Sequence, residues 1–286
     1  MAGRRYAPVR PAHNREKALN TWILAALALL APAACGADDW TGISQQGETG
    51  LRIWGGVFQP SMYDVRTSVD ARNVSLASMS WVGGTGSSSL ARGPEGGAEI
   101  SWGFLPDVRL LLAGEMRGVS NRSSFTGSGA NNGGTAKLDL NLSSVGGEAG
   151  ITCLLREFQE KYRLSFTARV GVHALSGSRE TWSENGPAGE YSSTTRYSGL
   201  AAGALLGLEW EAFFTDRDGS VAPGMFILAG YRFLSFGQVD YRFHDSLGVK
   251  DDGAVRNPAG DRVPVDMGGP EIRLGLQLAI PTKFTR

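Results

Sequence analysis

Thirteen charged residues recur at alternate positions along otherwise apolar or small-residue segments. They are Arg52, Arg109, Arg117, Arg163, Arg169, Arg232 and Arg273, with Glu99, Glu115, Glu148, Glu209, Glu211 and Glu271. Neither Lys nor Asp joins them, although a face bathed in water normally carries Lys. Nearly matched Arg and Glu suit an enclosed space, where an ion must be paired and hydrogen-bonded and the planar guanidinium fork meets a carboxylate with two bonds. The chemistry this set implies is mutual neutralisation rather than catalysis. The whole chain has only five Lys, so a general preference for Arg explains part of the pattern.

The other constellations are weaker. His244-Asp245-Ser246 holds the residue types of a hydrolytic triad. In an extended segment, however, His244 and Ser246 share a side while Asp245 points away, which makes a compact triad awkward. The run GGTGSSS at 83–89 is glycine-rich but lacks the lysine of a phosphate loop. Three His and no metal-ligand spacing leave no metal site, and no cofactor or catalytic residue is expected. His173 falls on the charged side of its segment and suits a hydrogen bond there. Cys153, in apolar surroundings, reads as an inert filler rather than a nucleophile. Mixed charges at 59–94 and 238–266 (Asp64, Arg66, Asp70, Arg72; Asp251, Asp252, Arg256, Asp261, Arg262) are either solvated or could meet lipopolysaccharide phosphates or calcium.

The segments that carry these charges alternate with period two, the mark of strands with unlike faces. In 162–174, Tyr162, Leu164, Phe166, Ala168, Val170 and Val172 oppose Arg163, Ser165, Thr167, Arg169, Gly171 and His173. Segments 270–280, 108–118 and 200–214 repeat this, and 51–58, 97–104, 138–153 and 225–237 complete a set of eight. In 138–153 the apolar positions change parity between Leu142 and Ala149, so a bulge near Ser143–Ser144 is expected to swap the faces. The connections alternate. Those near 59–94, 119–137, 174–196 and 238–266 are long and polar; those near 105–107, 154–161 and 215–222 are short. Even strand number, tight turns on one side and long loops on the other are the plan of an up-and-down outer-membrane barrel. A ten-strand variant is the alternative, with Tyr63, Val65, Thr67 and Val69 alternating against Asp64, Arg66, Ser68 and Asp70 and pairing with 74–82; the preferred reading takes these segments as strand extensions above the membrane.

The chain begins with Arg4, Arg5, Arg10, Arg15 and Lys17, followed by the uncharged run ALNTWILAALALLAPAA at 18–34 and small residues. This is the layout of a secretory signal, with cleavage near 33–37. A lipoprotein reading through Cys35 puts Pro32 where Leu is wanted. The expected organisation is therefore an export signal at 1–37, a short periplasmic segment at 38–49 and a barrel at 50–286. Net charge is zero, with 28 basic and 28 acidic residues, which argues against a nucleic-acid binder.

Alternation alone does not say which face is outside, because soluble barrels invert the same pattern. The Arg/Glu pairing, the export signal, and aromatics near the short turns (Trp102, Phe104, Tyr162, Trp210, Phe214) favour lipid outside. Eight strands leave an interior that side chains just fill, so a packed polar lumen is expected rather than a pore. A symmetric hairpin at 157–158 puts Glu148 diagonally opposite Arg169. Lumen glycines at 103, 171, 203, 207, 230 and 275 are expected to make room for long arginines.

From roughly 50 to 286 the architecture resembles the small eight-stranded outer-membrane barrels, the outer membrane protein A and outer membrane protein X family. The last segment, Arg273-x-Gly275-x-x-Leu278-x-Ile280, looks like the signal that the barrel-assembly machinery reads in final strands, although Phe284 stands third from the end instead of last. The resemblance implies the bacterial outer membrane, with its lipids, lipopolysaccharide and the assembly machinery as partners. It implies a monomer acting in envelope integrity or surface interaction, a small-solute channel or a lipid-modifying barrel enzyme being the alternatives.

Overall fold

The computed structural model describes residues 47–84, 90–159, 161–215, 221–256 and 260–281. The expected export signal, Cys35, most of the 38–49 segment, residues 85–89 of the glycine-rich run and Phe284 lie outside them. The chain passes through β1 (Glu48–Phe58), helix α1 (Tyr63–Ser78), β2 (Trp81–Gly83), β3 (Gly93–Leu105) and β4 (Val108–Gly127). It continues through β5 (Thr135–Phe158), β6 (Tyr162–Leu175), β7 (Arg179–Gly186), β8 (Gly189–Ser198) and β9 (Leu200–Phe213). β10 (Ala222–Phe236), β11 (Asp240–Asp245), β12 (Lys250–Ala254), β13 (Val265–Asp266) and β14 (Gly269–Pro281) follow.

Antiparallel pairing joins β1, β3, β4, β5, β6, β9, β10 and β14 in that order, and β14 pairs back onto β1. The pairing returns to its start, so these eight strands leave no edge with unpaired backbone groups. All eight alternating segments read from the sequence are here. Their aliphatic positions, such as Ile53, Leu112, Val172, Leu208 and Leu274, point outward and are exposed, while the intervening charges are buried. At the short-turn end, Trp102 and Phe104 meet edge to face at 6.1 Å, and Tyr162 stacks on Trp210 at 5.8 Å.

At the opposite end the sheet grows into a crown. β4 and β5 run on together to Thr126 and Thr135. There β7 takes over from β6 as the second neighbour of β5, and β8, β11 and β12 extend the sheet outward. Under this wing lies a dry cluster that includes Phe58, Met62, Val69, Val119, Leu140, Leu142, Leu234, Phe236 and Met267, with Val65 and Tyr197 against it. It lies above the charged lumen as a lid of hydrocarbon.

Three readings are corrected here. First, no bulge interrupts β5 near Ser143–Ser144: its register against β4 is unbroken from Cys153 to Thr135. Leu138, Leu140 and Leu142 share parity with Glu148 and point inward, into the crown clusters. The irregularity in β5 lies lower, between Leu154 and Arg156 opposite β6. Second, Tyr63–Ser78 is a helix, so neither the tenth strand nor a strand extension forms. Val65, Val69 and Leu76 lie against the crown at spacings of four and seven, one helical face. Tyr63, their supposed strand partner, is exposed. Third, the long polar connections at 174–196 and 238–266 supply five further strands, β7, β8, β11, β12 and the two-residue β13.

The crown interior offers a direct check. Tyr197 is packed against the dry cluster, and its hydroxyl donates to a Glu180 carboxylate oxygen at 3.4 Å, beside Arg72, which pairs with Glu180. Burial, reinforced by the Glu180 charge, pushes the phenol well above its ordinary value. The folded chain thus holds this proton more tightly than the unfolded chain. The stability it contributes is present below the ordinary tyrosine range near pH ~10 and declines as pH rises above it. Phenolate absorbance of the native protein is expected to lack a contribution from Tyr197 at that pH, so Tyr197→Phe should leave the early part of the titration unchanged and remove only a late component.

Candidate functional site

The lumen is the most densely functionalised part of the molecule. Because inward positions recur every second residue on eight paired strands, charges of matching depth meet from all sides. All thirteen charged residues read from the sequence are buried there. Their ion pairs form two sets.

The set nearer the crown holds Arg117, Arg232 and Arg273. Arg117 donates from Nη2 to Glu95 at 2.8 Å, Glu271 at 3.0 Å and Glu115 at 3.2 Å, and from Nη1 to the Met267 carbonyl at 3.2 Å. Arg232 donates from Nε to Glu271 at 3.0 Å and from Nη2 to Glu115 at 2.9 Å; both Nη atoms meet Glu148. Arg273 reaches Glu115 and Glu271, each at 2.7 Å. His173 lies between two carboxylates, Nε2 3.4 Å from Glu148 and Nδ1 3.7 Å from Glu115.

The set nearer the short turns holds Arg52, Arg109, Arg163 and Arg169. Arg52 meets Glu209 at 2.9 Å, Glu99 at 3.1 Å, the Gln277 amide oxygen at 3.1 Å, and Glu211. Arg109 meets Glu209 and Glu211. Arg163 grips Glu48 with two bonds of 3.0 and 3.2 Å and reaches Glu157 at 3.3 Å. Between the two sets sits an apolar waist of Trp54, Leu205, Phe226 and Leu228. The Arg273 guanidinium lies 3.8 Å from the Trp54 ring centroid, and that of Arg52 lies 4.7 Å from Phe226, so each set caps one side of the waist through a cation–π contact.

Three inward carboxylates, Glu48, Glu95 and Glu157, lie outside the thirteen, and the Gln277 amide joins them. Glu95 and Glu48 continue the parity of Glu99 and Arg52 but precede the stretches where apolar alternation is clear. Gln277 sat in the alternation but carries no charge. Glu157 follows the β5 irregularity, which shifts parity and hides it. The Glu148–Arg169 contact does not form. Their strands do place them diagonally, since Glu148 faces Gly171 and Arg169 faces Gly150. Their side chains diverge instead, Glu148 to Arg232 and Arg169 to Glu99 at 2.7 Å. Nor do the glycines chiefly serve arginine. A Cβ on Gly275 would stand 2.8 Å from Cβ of Trp54 and against the Phe226 ring, and one on Gly203 would stand 3.2 Å from the His173 ring.

Ligand atoms of Glu115, Glu148 and His173 lie within 4.8 Å of one another, close enough for a metal ion. Arg232 and Arg273 already donate to these carboxylates, however, and supply the positive charge that a metal would bring. The His244-Asp245-Ser246 set is dispersed. The Asp245 carboxylate accepts the backbone amides of Leu247 and Val249 and the Tyr191 hydroxyl, closing the β11–β12 turn, while Ser246 Oγ accepts the Ser192 amide. Cys153 is a buried free thiol in β5. In β14, Arg273 and Gly275 point inward, Leu278 outward and exposed, and Ile280 outward and half-buried.

No protein-family model matches the sequence, and no curated protein matches it. Among solved structures it is similar to the outer membrane protein OprG from Pseudomonas aeruginosa, at 9% identity and TM-score 0.44, covering 85% of this chain and 99% of that one. It is similar to Ail, the attachment invasion locus protein of Yersinia pestis, at 13% identity and TM-score 0.31, covering 82% and 99%. It is also similar to the outer membrane protease OmpT from Escherichia coli, at 10% identity and TM-score 0.26, covering 86% and 98%. Likeness of that order assigns no activity to this chain.

Proposed function

We propose that this chain is a bacterial outer-membrane β-barrel whose body is a closed, charge-paired plug, and which acts in envelope integrity or surface interaction through its crown. The observation that carries the reading is the division of the wall into two chemistries. Outward aliphatics are exposed on every strand of the ring, and the inward charges are buried in mutual contact. In water such an exterior would be a continuous apolar band; in a bilayer it is the required lipid contact, while the closed ring satisfies every strand's backbone groups. The paired Trp, Phe and Tyr rings at the short turns suit a membrane interface. The crown, with its polar outer face, then stands outside the cell and the short turns face the periplasm.

The plug supports a structural role over the channel alternative. The apolar waist of Trp54, Leu205, Phe226 and Leu228 fills the lumen beside β1, β9 and β10, and an arginine of each ion-pair set packs on it, Arg273 on Trp54 and Arg52 on Phe226. The dispersed His244, Asp245 and Ser246 support a non-catalytic reading over the lipid-modifying one. β14 would present Arg273, Gly275, Leu278 and Ile280 to the assembly machinery. The test is twofold. Unboiled protein from detergent-extracted envelopes is expected to migrate differently on a gel from boiled protein. In planar bilayers the folded protein is expected to give no steady open-channel current. Steady currents would overturn the plug, and a mobility indifferent to boiling would overturn the barrel.

A further inference from the structure

The outer face of the crown wing carries a feature that barrel closure does not require. In register across three strands, Arg179 of β7 lies opposite Arg196 of β8, and Arg196 lies opposite Arg242 of β11. Like charges placed directly across a sheet repel and destabilise it. All three are exposed, and among the described residues none takes part in an ion pair. Asp240 and Asp252 flank the row, Asp252 standing opposite Arg242 at its far end; Asp139 and Glu190 share the face one and three rows farther up, Asp139 paired with Arg122. The next row of the same face reads Thr181, Thr194, His244, Lys250, again in register. Hydroxyls, an imidazole and the Lys250 ammonium therefore border the row on that side. The arginines line a concavity of about 450 Å³ with Ser178 and Ser198.

Its height matters as much as its charge. Arg196 precedes Leu200, an outward leucine 72% exposed, by only four residues, and Arg179 pairs with Asn141, four residues above outward Val145 on β5. At about 3.3 Å per residue on a strand tilted about 40°, four residues rise about 10 Å. The row thus stands just above the last aliphatic positions, at the level of lipid headgroups.

We propose that this arginine row is a binding surface for phosphorylated headgroups of the lipids surrounding the barrel, a phosphate bridging neighbouring guanidiniums and relieving their repulsion. The inference rests on the membrane orientation proposed above. The guanidinium fork favours phosphate by bidentate charge-assisted bonds, and a phosphate carried on a lipid is held at this level by its acyl chains.

The full chain, refolded in detergent, is titrated with bisphosphorylated lipid A, with dephosphorylated lipid A and with inorganic pyrophosphate, and retained lipid is counted by native mass spectrometry. The triple variant R179Q/R196Q/R242Q is expected to bind bisphosphorylated lipid A about tenfold more weakly or worse, the scale of losing charge-assisted bonds to one phosphate. R122Q, which removes an exposed arginine already paired with Asp139 at 2.7 Å, is expected to change nothing. Equal retention by the triple variant, an equal loss in R122Q, or equal binding of dephosphorylated lipid would overturn the proposal. Displacement by pyrophosphate at concentrations matching the lipid's own affinity would transfer the site to soluble phosphates and overturn the lipid source. Insertion into phosphatidylcholine vesicles and heat-modified mobility are read in parallel. Loss of those in the unmodified protein counts against the barrel, whereas insertion without headgroup selectivity counts against the arginine row alone.

Discussion

Replacing Arg232 by methionine is expected to destabilise the folded barrel by about 3–5 kcal/mol, the cost of leaving buried charges without their partner. Arg232 is fully buried and donates to three carboxylates on three other strands: Glu271, Glu115 and Glu148. The three do not suffer equally. Glu115 keeps Arg117 at 3.2 Å and Arg273 at 2.7 Å, and Glu271 keeps the same two at 3.0 and 2.7 Å. Glu148 keeps only His173 at 3.4 Å. The loss should therefore concentrate at Glu148, and R232M/E148Q should be less destabilised than the sum of its single variants. Urea titration of the protein in phosphatidylcholine vesicles, followed by heat-modified mobility, measures all three. A loss under about 1 kcal/mol for R232M would mean that water, not arginine, solvates these glutamates, and the plug would have to be abandoned.

Parity reveals the strands only up to one physical boundary. Within the ring, lipid and lumen impose opposite chemistry on alternate positions for the whole length of each strand, so parity alone located eight strands. Above it the environments exchange: the outside of the sheet meets water and the inside meets packed hydrocarbon. Leu138, Leu140 and Leu142 keep the inward parity of Glu148 but take the opposite polarity. Under a single rule that exchange looks like a slipped register, so alternation predicts a bulge where the ladder is regular. Ambiguity of period misled the reading of α1. Val65 and Val69 fit a strand as well as a helix, and only Leu76, eleven residues after Val65 and on the same helical face, separates the two. The crown wing has an alternation of its own, with Glu180 and Trp182 on one side and Arg179 and Thr181 on the other, but its few aromatics sit among polar residues that also suit a loop. Partner choice inside the lumen was beyond parity altogether. Alternation puts a charge inside; the rotamer and the depth of each strand decide whether Glu148 turns to Arg169 or to Arg232.

The second large effect separates a membrane wall from a soluble one. Leu112 sits mid-strand in β4, points outward and is 62% exposed; its neighbours in register are Ile100 and Ala149. If water bathed this face, Leu112→Arg would replace one exposed side chain by another and change stability by less than about 0.5 kcal/mol. If acyl chains bathe it, a charge is placed near the bilayer midplane and folding into vesicles should weaken by about 2–4 kcal/mol. Depth should grade the effect. Leu105→Arg, at the short-turn rim where the leucine is 46% exposed, should cost about 0–1 kcal/mol, because its guanidinium can reach the interface. Leu247→Arg, in the β11–β12 turn with the leucine 78% exposed, should be neutral. All three positions lose an exposed leucine, so hydrophobic burial in the folded protein cannot generate the gradient; only a solvent that changes along the barrel axis can. Equal and small effects at all three would place the outer wall in water, and the paired arginines and glutamates would then fill the core of a soluble barrel rather than the lumen of a membrane one.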